Sequence, residues 1–201
     1  MAPGFRPFRL AGALASASLV TTAAMAHEVV VRAPLECSRG PGGQTWSAVV
    51  TLPEVQASGS RFTVRIDSAP SGTLSYLGLN YITDMTTDWV VGPGARVVEG
   101  SVRVVADTGT PNVRPGARAW HDAAGVHLVL PARVEKGDGY TPPSVEIDLE
   151  VTAAPGGAVT VLFDRQSVTA NAIVIGDLRT VCVPRSRPYV LGTVRVVDPP
   201  R

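Results

Sequence analysis

Along most of the chain, apolar and polar residues alternate at period two. Phe62, Val64 and Ile66 alternate with Thr63, Arg65 and Asp67, and Val145, Ile147, Leu149 and Val151 alternate with Glu146, Asp148, Glu150 and Thr152. Successive side chains of a strand point to opposite faces, so each run predicts a strand with one face buried and the other in water. Comparable runs at 46–52, 74–82, 96–106, 126–130, 158–163, 167–175, 178–183 and 193–197 predict further strands. Turn-forming residues separate most of them: Ser-Gly-Ser at 58–60, Gly-Pro-Gly at 92–94, Lys-Gly-Asp-Gly at 136–139 and Pro-Gly-Gly at 155–157. No window carries a helical stripe, and 17 prolines with 20 glycines would interrupt most candidates. The expected fold is all-β, an antiparallel sandwich of two sheets.

The N-terminus departs from this pattern. MAPGFRPFR carries Arg6 and Arg9 and no acid, and the small apolar run LAGALASASLVTTAAM leads to Ala24-Met25-Ala26. That order of basic, apolar and small-x-small segments predicts a signal peptide over residues 1–26, used by the general secretory route because no Arg-Arg pair is present. Residues 27–201 are then expected to form a single β-sandwich domain that is secreted or held at the cell surface. No later segment is apolar for long enough to span a bilayer. Without Arg6 and Arg9 the chain has 16 basic against 17 acidic side chains, which leaves no basic surplus for phosphates and excludes nucleic acid as a partner. Cys37 and Cys182 are the only cysteines. In an oxidising compartment a lone pair near opposite ends of a domain reads as one long-range disulfide.

A set of short motifs adds a resemblance. An early Cys37 is followed by GARVVEG at 94–100, GGAVTV at 156–161, Gly176-Asp177-Leu178, TVCVP at 180–184 and LGTV at 191–194. Over about residues 30–197 this resembles a domain of unknown function found in secreted actinobacterial proteins. The resemblance implies an immunoglobulin-like β-sandwich with a cysteine near each end and an extracytoplasmic location. It brings no catalytic residues. The family pattern has a proline-bearing apolar segment after its first cysteine, where this chain has SRGPGGQTW.

Few residues have the makings of chemistry. Cleavage after Ala26 would expose His27 as an N-terminal histidine, whose α-amino group and imidazole can chelate Cu(II). His121, in Trp120-His121-Asp122, is the candidate second ligand, whereas His127 alternates with Val126 and Leu128 and is expected to face solvent. Among the aromatics, Trp46 alternates with Ala48 and Val50 and is expected in the core. Tyr81 and Trp89 flank the polar stretch TDMTTD at 83–88, read as an exposed loop, so Tyr81, Asp84, Asp88 and Trp89 form a candidate ligand loop. Asp84 and Asp88 lack the Asp-x-Asp-x-Asp-Gly spacing of a calcium loop, and no Gly-x-Ser-x-Gly elbow marks a hydrolase. The expected function is therefore non-enzymatic, without a cofactor: binding of a protein or a cell-envelope carbohydrate. The alternative is an extracytoplasmic copper protein using His27 and His121.

Overall fold

In a computed structural model, the described residues are 26–40, 44–70, 72–105 and 116–200. All but the last residue of the expected signal peptide lies outside them. They contain fourteen strands and no helix: β1 (Ala26–Cys37), β2 (Thr45–Pro53), β3 (Val55–Ala57), β4 (Arg61–Ser68), β5 (Leu79–Val91), β6 (Ala95–Val97), β7 (Arg103–Val105), β8 (Arg118–Asp122), β9 (Gly125–Leu130), β10 (Val134–Glu135), β11 (Ser144–Val151), β12 (Ala158–Ala172), β13 (Gly176–Pro184) and β14 (Tyr189–Val197). The expected all-β antiparallel sandwich is the fold observed.

One sheet runs β6-β11-β4-β2-β1, with β7 also on β11, and the other runs β1-β13-β12-β5-β9-β8, with β14 on β12 and β10 on β5. Every pairing is antiparallel except the short one between β3 and β14. Strand β1 belongs to both sheets. Its residues 26–34 pair with β2, and Leu35, Glu36 and Cys37 then pair with β13. Cys37 stands directly across from Cys182 in that register, and the two are joined by the expected disulfide. Register alone thus brings together sulfurs 145 residues apart in sequence.

The alternation read from the sequence is the alternation of burial. Phe62, Val64 and Ile66 of β4 and Val145, Ile147, Leu149 and Val151 of β11 are all buried, and their polar neighbours line the outer face. There Arg61 and Arg96 share Glu150 at 3.0 and 2.7 Å, and Arg103 bridges Glu146 and Asp148. Trp46 is in the core as expected, its ring stacked on Phe163 of the opposite sheet with centroids 4.3 Å apart. A second, smaller core of Leu74, Leu79, Ile82, Met85, Leu130, Ala132 and Val134 fills the end where β12 meets β13.

Three expectations are corrected. The stretch 83–88 is not a loop but the middle of β5, hydrogen-bonded to β9 on one side and β12 on the other. Trp89 accordingly lies in the core at 1% exposure. Residues 158–163 and 167–175, read as two strands, form one long strand β12 that bulges between Phe163 and Arg165 and ends at Ala172.

Candidate functional site

The chemistry-bearing side chains converge on the outer face of the second sheet, and a tight turn determines which ones. Asp122 and Gly125 pair across the two-residue turn Ala123-Ala124, where the Asp122 carboxylate accepts the Ala124 amide at 2.7 Å. Gly125 takes φ +142°, and a Cβ there would lie 2.4 Å from the carbonyl oxygen of Trp89, so only glycine lets β9 lie this close on β5. The hairpin register then sets Trp120 opposite His127, His127 opposite Asp88, and Asp88 opposite Arg165. Four strands contribute one row.

Within that row His127 is held from both sides. Its Nδ1 lies 2.8 Å from Asp88 Oδ1 and its Nε2 lies 3.0 Å from Asp122 Oδ1. The Arg165 Nε donates to the other oxygen of Asp88 at 2.7 Å. Trp120 covers the imidazole, with ring centroids 5.2 Å apart. His127 does face away from the core, as its alternation predicts, but it does not face solvent: Trp120 and its flanking carboxylates leave it 9% exposed. Burial works against a charged imidazole, yet the hydrogen bonds and charges of Asp88 and Asp122 outweigh it and raise the His127 pKa. Asp122 is lowered to about 2, first by its bond to His127 and then by the Ala124 amide. Arg165 is raised by Asp88.

The composition is that of an acid–base site, and the geometry is that of a clamp. A general base needs a free ring nitrogen facing its substrate or nucleophile, and here both nitrogens face carboxylates. The nearest hydroxyls, Thr86 and Ser167, sit in the next row, where they bond to each other and Ser167 also accepts from Arg179.

The residues singled out from the sequence are dispersed. Asp88 is in the clamp and Trp89 in the core. Asp84 is exposed at a bulge, with φ +50°. Tyr81 lies nearer the end of the sheet, its hydroxyl 3.4 Å from Asp177 and its ring under the Arg133 guanidinium at 3.6 Å. His27 and His121 are not brought together. His27 pairs with Leu52 in the first sheet, His121 is on the edge strand β8, and four strands of the path separate β1 from β8. Among the described residues no group of three or more His, Cys, Asp or Glu side chains could hold a metal ion, and no helix is long and apolar enough to cross a membrane.

The other notable feature is apolar. Leu77 is fully exposed, and Ile173, Val174 and Ile175 are 65, 92 and 68% exposed. The amide of Ile173 donates to the Gly78 carbonyl at 2.9 Å, so both segments form one pole beside the β12–β13 turn. An unbroken Ile-Val-Ile at the end of a strand was the available signal for it, but in the sequence it read as strand interior.

No family model matches the chain, and no curated protein matches it in sequence. Solved structures show a distant likeness. A cohesin module from the family 33 glycoside hydrolase of Clostridium perfringens aligns at 11% identity and a TM-score of 0.41, over 76% of this chain and 96% of that one. The sixth cohesin of scaffoldin B from Acetivibrio cellulolyticus, solved with a Cel5 dockerin mutant, aligns at 12% and 0.36, over 72% of this chain and 92% of that one. A Corynebacterium diphtheriae protein described as membrane anchored aligns at 16% and 0.41 over 88% of this chain, which spans 38% of its length. All three are chains of β-sandwich type, and at these values the likeness says nothing about a partner.

Proposed function

We propose that residues 27–201 form one exported, non-catalytic binding module that acts at the cell envelope or outside the cell by engaging a partner protein. Export by the general secretory route with cleavage after Ala26 follows from the N-terminal pattern, and a disulfide closing most of the chain suits an oxidising compartment. One observation carries the reading. The polar groups with catalytic composition are occupied by one another in cross-strand pairs, whereas large aliphatic side chains at one pole have no partner. Exposed apolar side chains grouped within a polar rim are the mark of a contact surface. A protein is favoured over a carbohydrate because two of the three tryptophans, the rings best suited to stack on sugars, are buried in the core.

The test is localisation followed by binding. Mass spectrometry of the protein recovered from the source cells should give His27 as the first residue in the envelope or the medium. The purified protein should bind washed envelopes saturably, and protease treatment of the envelopes should abolish binding. Recovery in the cytoplasm with the N-terminal segment intact, or an absence of saturable binding, would remove the proposal.

A further inference from the structure

Resting on that reading, we infer that the aliphatic pole formed by Leu77 and Ile173-Val174-Ile175 is a prong that seats in an apolar groove of the partner protein. The pole protrudes, and its base is fixed. The Asn80 side-chain amide donates to Asn171, the Asn171 amide to Asp177, and Asp177 also accepts from Tyr81, at 2.9, 2.6 and 3.4 Å. Arg133 lies on the Tyr81 ring and pairs with Glu135 at 2.6 Å. An apolar centre within a rim of oriented hydrogen-bonding groups is the anatomy of a protein interface, and a preformed base lowers the ordering cost of docking.

The other occupants fit less well. A bilayer surface is bound through apolar side chains together with a basic surplus facing anionic headgroups. Around the pole, Arg133, Lys136 and Arg179 are matched by Glu135, Asp138 and Asp177, so no such surplus exists. The chain's own apolar N-terminal stretch enters at the far end. Ala26 pairs with Pro53, Val55 pairs with Arg195, and Arg195 pairs with Ala158, the residue of β12 farthest from the pole. At about 3.3 Å per residue, β12 sets the two ends about 45 Å apart. A second copy would have to offer a concave apolar seat. The largest surface hollow, beside Val30, is lined by Arg32, Thr45 and Ser47 as well as by small apolar residues.

The experiment uses the secreted protein and its I173S/V174S/I175S variant, with washed envelopes as the probe. Because these side chains are exposed, the variant should melt with the wild type. Its dissociation constant for the envelopes should rise by roughly 100-fold, as truncation of central apolar anchors does. A photo-crosslinker at Val174 should capture one discrete, protease-sensitive species that excess wild type competes away and the variant does not, while the same probe at the exposed Val30 captures nothing. Equal binding by both proteins overturns the prong and leaves the binding-module reading standing. Loss of all saturable binding by the wild type removes both. Co-sedimentation with vesicles of phosphatidylcholine and phosphatidylglycerol would assign the pole to lipid, and a wild-type dimer dissolved by the variant would assign it to a second copy; either result overturns the inference.

Discussion

His127→Leu removes the middle of the clamp while keeping the volume that supports Trp120. The His127 and Asp88 side chains are only 11 and 12% exposed, so their bond is the part with most at stake. A charge-assisted hydrogen bond of this kind contributes about 1.5–3 kcal/mol, and Asp88 keeps Arg165 in the variant, so the expected loss near pH 6 is about 2 kcal/mol. For a domain of this size that is about 4–8 °C in melting temperature. The loss should depend on pH. The folded protein binds the His127 proton more tightly than the unfolded chain does. The stabilisation is therefore complete below the unfolded value of about 6.5 and fades as pH rises through the higher folded value. Above that, a neutral imidazole can donate to only one of its two carboxylates. Urea unfolding followed by tryptophan fluorescence, for both proteins at pH 5.5, 7 and 9, measures the gap directly. His27 and His121 titrate in both proteins and cancel. A gap that is constant, or that widens toward alkaline pH, would refute the charged clamp.

Three further outcomes are expected. C37S/C182S releases a loop of 145 residues, and the unfolded chain should gain disorder equivalent to about 5 kcal/mol in the chain-entropy account; a midpoint in urea unchanged from the oxidised protein would contradict this. Gly125→Ala places a methyl against the Trp89 carbonyl at a positive φ, costing about 2–3 kcal/mol, and amide exchange should show β8 and β9 loosened first. Asp122→Asn should be the less stable protein at neutral pH. Since Asp122 is lowered to about 2 when folded, its contribution exists above the unfolded value of about 3.9 and is lost as pH falls through the folded one, so acid unfolding curves of the two proteins should converge toward pH 2.

The fold was legible because burial follows period two in nearly every strand, as in β4 and β11. It failed at β5, where Thr87 and Asp88 are 4 and 9% exposed. A polar residue in a central strand is tolerated when its neighbours across the sheet satisfy it, and the partners of Asp88 lie 39 and 77 residues away, beyond any local pattern. Strand β1 was missed for a different reason: Val29-Val30-Val31 is apolar throughout, with Val30 at 69% exposure, so the alternation is hidden. The clamp was partly legible. A two-residue turn at Ala123-Ala124 places Trp120, Asp122 and His127 on one face and turns His121 to the other, which reverses the choice of histidine made from sequence. The depth at which His127 sits depends on how Trp120 folds over it, and that is a matter of packing between strands.

The bond between Cys37 and Cys182 also has a mechanical meaning. Both described ends of the chain lie at the pole remote from Val174, so tension applied to them would peel β1 from β2 one pair at a time, as a zipper opens, until the covalent link bears the load. Only residues 26–36 and 183–200 lie outside the link. At about 3.4 Å per residue the protein would lengthen by at most about 100 Å, with everything between the two sulfurs shielded from the pull.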